Sequence, residues 1–194
     1  MLSLDGNSWM SDTKNEVKEL LKGVLMAILI YYVIQGALVM ATGVDNPVSV
    51  VISGSMDHDG YNFDSWWDMK YTEYDDLGIT KEMFDEYKYT NGFAKGDILI
   101  ITEVDTDSIE IGDIIVFRRA NEDIPIVHRV VEKFIYEGAY YYRTKGDHNP
   151  VMDNYYTNGV LGVGEDAVVG HVSAVIPKLG NITLLFRGAF GIND

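Results

Sequence analysis

With no cysteine among its 194 residues and only four histidines, this chain has few ways to do covalent chemistry. A nucleophile must come from a hydroxyl, and an imidazole base from His58, His128, His148 or His171. One stretch fits the first need. Val50, Val51 and Ile52 run into Ser53-Gly54-Ser55-Met56, a β-branched segment ending in a small polar turn. Such a turn exposes a hydroxyl and aims backbone N–H groups at one point, as a nucleophile and its oxyanion require. His128, in PIVHRVVEKF, fits the second need. An imidazole can take and return a proton near neutral pH. On a strand, Ile126, His128 and Val130 would share one face. Asp147 and Asp153 lie six apart in KGDHNPVMDN, and either can accept a hydrogen bond from an imidazole. Each motif also has a plain structural reading: a turn, a core histidine, a loop held by Asx caps.

A metal centre competes for the same residues, but their spacing matches no zinc signature and there is no HExxH. No metal or cofactor is expected. His58 and His148 read as exposed loop residues, and His171 in VVGHVSAV as core or surface. The net charge of −15 argues against nucleic acid, which needs a basic face.

These residues need elements to hold them. Strand-like runs occur at Val48–Ile52, Asp97–Thr102, Asp113–Arg118, Ile126–Val131, Ala139–Arg143 and Val168–Ile176. They are rich in Val, Ile and Tyr and bounded by Gly, Asp and Asn. Without βαβ alternation, the expected class is mainly antiparallel β. Residues 57–95 differ, being rich in aromatics and acids, with Trp66 and Trp67 adjacent. Thr80 can cap a short helix in KEMFDEYKY, with Glu82 in its first turn. This stretch reads as a small folded insert packed by its own aromatics. Contact of those aromatics with lipid headgroups, substrate or a partner stays open.

Upstream, residues 23–44 contain no Asp, Glu, Lys or Arg over 22 positions. About 20 apolar residues in a helix cross the hydrocarbon core of a bilayer. Lys14, Lys18 and Lys22 precede the segment, and no Lys or Arg follows until Lys70. The positive-inside rule then places residues 1–22 in the cytoplasm and 45–194 outside as one extracytoplasmic domain. At about 3.5 Å per extended residue, the short stretch from Val44 to Ser55 keeps that serine near the outer membrane surface.

In chain order, a membrane helix, VVISGSM, a KGD strand, IGDIIVF, IVHRV and a KGDHN…D loop resemble type I signal peptidases, in particular the archaeal and endoplasmic-reticulum type. The resemblance covers roughly residues 23–56 and 95–179. It implies a membrane-bound serine endopeptidase that removes signal peptides from secretory preproteins. It implies an extracytoplasmic catalytic domain working at the lipid bilayer of the cell, beside the translocation machinery. It assigns Ser55 as nucleophile, His128 as general base and Asp153 as third triad member. Asp147 is implied to support the site and share the orienting role, and Ser53 to join the Ser55 N–H in an oxyanion hole. Relatives reach the GD strand soon after SGSM; here some 40 residues intervene, which bears on the shape of the cleft. ITLLF at 182–186 is too short to span a bilayer, where some relatives carry a second membrane segment. The rival readings are a serine hydrolase of the same β fold with another substrate and an inactive or accessory membrane-anchored subunit.

Overall fold

The computed structural model describes residues 8–120, 122 and 124–177; for residues 8–12 the backbone alone is described. ITLLF lies outside the described residues. The chain separates into two units, residues 1–41 and 42–194.

The first unit is one helix, α1 (Ser8–Thr42). Its Thr13–Thr42 portion is long and apolar enough to cross a membrane, and its side chains are almost all exposed. The helix runs unbroken through Lys14, Lys18 and Lys22, so the polar lead-in expected as a tail is helical from Ser8. It ends where Gly43 takes φ 74°, the left-handed conformation that closes many helices and that glycine adopts at no steric cost.

The second unit is a seven-stranded antiparallel sheet with helices set into one connection, the expected mainly β class. Its elements are β1 (Val48–Val50), α2 (Phe63–Asp75), α3 (Lys81–Asp85), β2 (Ile98–Thr102), β3 (Ile114–Phe117), β4 (Ile126–Tyr136), β5 (Ala139–Lys145), β6 (Tyr156–Thr157), β7 (Val160–Leu161), β8 (Val163–Gly164) and β9 (Val168–Ile176). The order is β1-β2-β9-β3-β4-β5-β8, so the last strand threads between two early ones. β6 and β7 form a separate two-stranded ribbon. All four residues of β3 are buried. That matches their uninterrupted IIVF character, because a central strand buries both faces.

β4 runs five residues past the Val131 expected from its pattern. A register shift between Val130 and Glu132 breaks the in-out alternation. The strand then continues to a two-residue turn at Glu137-Gly138, both at positive φ, as tight hairpins require.

The insert folds on its own aromatics. Trp66, Trp67, Tyr74, Ile79 and Phe84 are buried together with Val131 of β4. Thr80 caps α3 as expected, its Oγ1 accepting from Met83 N at 3.3 Å. α2 was not anticipated. Its cap is Asn62, whose Oδ1 accepts from Ser65 N at 2.9 Å. Spacings of three, four and seven residues bring Phe63, Trp66, Trp67 and Tyr74 together on its inner side.

Candidate active site

The turn carrying the two serines is anchored on both sides. Val51 N donates to Asp97 O and Gly96 N to Val51 O, each at 2.9 Å. After the turn, Phe93 N donates to Met56 O at 3.0 Å, and Met56 is buried in the core beside Leu99 and Ile101. Residues 52–55 are thus a short span between two fixed points. Ser53 is exposed and Ser55 half-buried, with their Oγ atoms 3.3 Å apart. The Ser55 N–H has no hydrogen-bond partner among the described residues.

His128 sits on β4 opposite Ile115 of β3 and is 7% exposed. Its Nδ1 lies 2.6 Å from Asp153 Oδ2. The same oxygen accepts from Thr144 Oγ1 at 2.6 Å, and Asp153 N donates to Thr144 O at 2.8 Å. Asp153 is therefore held by both its backbone and its carboxylate against β5. With Nδ1–H donated to the carboxylate, a neutral ring presents Nε2 as its acceptor.

Gly146 shows where Nε2 points. A Cβ placed on this glycine would lie 2.9 Å from His128 Nε2 and 2.6 Å from Ser55 O. His128 Nε2 and the Ser55 backbone thus face each other across a glycine. Among the described residues no hydrogen bond joins Ser55 Oγ to His128 Nε2. The loop and the serine are tied directly, because His148 N donates to Ser55 O at 2.9 Å.

Asp147, expected to share in orienting the imidazole, is placed elsewhere. It is fully buried, and its partners are Arg129, His58 and Tyr74, not His128. Arg129 grips it with two charge-assisted bonds, Nε to Oδ1 at 2.9 Å and Nη2 to Oδ2 at 2.7 Å. Tyr74 OH donates to Oδ1 at 3.1 Å, and His58 Nε2 is 3.2 Å from Oδ2. Burial alone would raise the Asp147 pKa; the Arg129 charge and its hydrogen bonds, helped by His58, overcome this and hold the carboxyl well below the usual carboxylate range.

His58 was expected to be an exposed loop residue, and the structure corrects this. It is 1% exposed and stacked flat on Trp66, ring centroids 3.7 Å apart. Nothing in the local DHDG sequence signals a partner 89 positions away. His148 is exposed, as expected, 3.4 Å from Asp59. His171 is half-buried, its Nε2 3.5 Å from Thr102 Oγ1, and burial lowers its pKa. Among the described residues no cluster of three or more metal-ligating side chains occurs.

Beside the serines lies a cleft of about 230 Å³ lined by Val51, Ser53, Ser55, Phe93, Leu99 and Val127. Its lining is mostly apolar. β1, the strand leading into the serine turn, is the edge of the sheet. Its outer side therefore carries backbone groups that another extended chain can pair with.

The site thus combines an edge strand running into a serine turn with a histidine–carboxylate pair across a glycine, on an antiparallel β frame. The comparisons narrow the class. The chain is 30% identical over 154 residues to the human protein named signal peptidase complex catalytic subunit SEC11C, a match that takes in 77% of this chain and 62% of that protein. It is 25% identical over 183 residues to the sec11 catalytic subunit of Dictyostelium discoideum, covering 93% of this chain and 83% of that one. A third relative, SEC11 of Schizophyllum commune, is 36% identical over 109 residues, or 47% of this chain and 56% of that protein. No family model matches. The chain is therefore a homologue of the catalytic subunits of signal peptidase complexes, of the endoplasmic-reticulum type, at modest identity over most of its length. It spans about three-fifths of the length of the human relative. These relatives are eukaryotic, so the archaeal side of the expected branch finds no counterpart among them.

Proposed function

We propose that the chain is a membrane-anchored serine endopeptidase that removes N-terminal signal peptides from secretory preproteins at the outer face of the membrane. The observation carrying this reading is the 2.6 Å contact between His128 Nδ1 and Asp153 Oδ2, with Nε2 turned across Gly146 toward the Ser55 segment. In this reading His128 Nε2 takes the Ser55 hydroxyl proton as Oγ attacks the scissile carbonyl. Asp153 holds the imidazole's tautomer and stabilises the imidazolium. The Ser55 N–H and the Ser53 hydroxyl receive the oxyanion. The tetrahedral intermediate collapses, the C–N bond breaks, and His128 returns the proton to the leaving amine. A water, deprotonated by the same nitrogen, then releases the acyl group and restores Ser55.

The substrate adds to the β1 edge as an extended chain, with small side chains in the apolar cleft. Hydrogen bonds of this kind tighten when substrate binds, which accommodates the 3.3 Å Ser53–Ser55 contact as the present partner of the nucleophile. The apolar helix supports anchoring in the membrane, and the lysines that precede it support a cytoplasmic side for residues 1–22. The names of the relatives support the activity and a place in a processing complex.

The test is cleavage of a preprotein by the purified full chain in detergent. Wild type is expected to release the signal peptide, and Ser55→Ala and His128→Ala to do so at background rate. Near-normal cleavage by either variant refutes the assignment.

A further inference from the structure

The insert lies off the line of the proposed chemistry, yet it reaches the catalytic loop. Lys70, on α2, extends its ammonium to His148 O at 2.9 Å and to Glu73 Oε1 at 2.9 Å. His148 is the residue whose N–H holds the Ser55 carbonyl. One residue is therefore gripped through both of its backbone groups: its N–H by the serine turn, its carbonyl by the insert. Glu73 extends the grip. Its Oε2 lies 3.0 Å from Lys145 Nζ, and that ammonium, 1% exposed, sits 4.3 Å from the centre of the Tyr74 ring. Tyr74 and His58 meanwhile hold Asp147. Lys145, Asp147 and His148, three of the four residues from 145 to 148, thus have side-chain or backbone partners in residues 57–95. The fourth, Gly146, is the gap between His128 Nε2 and Ser55.

We propose that the insert is a positioning element of this active site. Lys70, bridging Glu73 and the His148 carbonyl, sets where the loop holds Ser55 relative to His128. This rests on the proposed peptidase reading and adds residues to it that neither the motifs nor the family resemblance supplies. Lys70 touches no reacting atom. It acts through the backbone of His148, so its loss changes the alignment of nucleophile and base while leaving the substrate cleft intact. The cleft lining comes from the serine turn, β1, β2, the start of β4 with the two residues before it, and Phe93, with no residue of α2.

The variant is Lys70→Met, which keeps the length of the apolar stem at a position only 20% exposed. Lys70→Arg is its conservative partner. In detergent with a preprotein substrate, Lys70→Met is expected to lower kcat about tenfold with KM unchanged, since small misplacements of reacting groups carry costs of that order. Lys70→Arg is expected to recover most of the loss. Hydrogen exchange over residues 146–149 reads the clamp without activity: the His148 amide loses protection in Lys70→Met while β4 and β5 keep theirs. Unchanged exchange at 146–149, or an unchanged kcat beside an active wild type, overturns the proposal. A rise in KM at constant kcat also overturns it, because it would make Lys70 part of substrate binding. If wild type cleaves nothing, the peptidase reading fails, and the exchange experiment alone decides the clamp.

Discussion

Gly146→Ala tests the site most sharply, because it adds one methyl group between the proposed base and nucleophile. The added carbon would stand 2.6 Å from Ser55 O, 2.7 Å from Asn149 Nδ2 and 2.9 Å from His128 Nε2. Ordinary contacts begin near about 3.5 Å, so the three atoms must retreat by about 0.6 to 0.9 Å. Asn149 can swing away. Ser55 O cannot do so cheaply, because His148 N and the anchored ends of the turn hold it, and His128 is fixed by Asp153. The strain falls on the distance from serine to imidazole. A displacement of about 1 Å in reacting groups costs on the order of a hundredfold in rate, or about 2.7 kcal/mol of barrier. Overpacking also costs about 1–3 kcal/mol of stability, so a melting curve must accompany the kinetics. With preprotein cleavage in detergent as the assay, kcat is expected to drop about a hundredfold while the folded fraction at assay temperature stays near wild type. A folded Gly146→Ala protein with wild-type kcat would refute the idea that the two groups work across this gap.

Asp153→Asn keeps the shape of the pair but loses its charge and favours the wrong imidazole tautomer; kcat is expected to drop by roughly 10³ to 10⁴ with KM little changed, read in the same assay. Asp147→Asn leaves the Arg129 guanidinium buried without its counter-charge and is expected to cost about 3–5 kcal/mol in urea unfolding. The folded Asp147 pKa is depressed, so its contribution is fully present above the unfolded value of about 3.9 and lost as pH falls through the folded value. Wild type should therefore lose stability below about pH 4 more steeply than Asp147→Asn, and parallel acid profiles would show that this carboxylate is not the acid-sensitive group.

What the sequence made legible was local. Ile114–Phe117 and Val168–Ile176 announce themselves through runs of Val and Ile, and Thr80 through the residues that follow it. Ser55, His128 and Asp153 each stand in a short motif, and the structure places the last two in contact. Partnerships formed over long separations were not legible. Asp147 looked equivalent to Asp153 because both lie in one loop. The difference is Arg129, which neighbours His128 in sequence but points to the opposite side of β4 and claims Asp147 there. His58 looked like a surface residue because the partners that bury it, Trp66 and Asp147 among them, are not signalled by its neighbours in sequence. α2 was missed because its polar positions masked the spacing of Phe63, Trp66, Trp67 and Tyr74.

Arg129 has one more effect. Besides Asp147, its guanidinium donates to the carbonyls of Lys88, Tyr89 and Gly112 and lies 4.6 Å from the centre of the Phe84 ring. Three separate stretches of chain converge on one buried cation. None can peel away without exposing a charge to a site built to keep water out, so the cost of opening any one falls on all. Insert, β4 and acid loop therefore form a single cooperative unit of unfolding rather than a stable sheet carrying a loose appendage. A partly folded chain of this kind has no half-built site: the loop that carries Asp153 acquires its shape in the same transition that closes the insert.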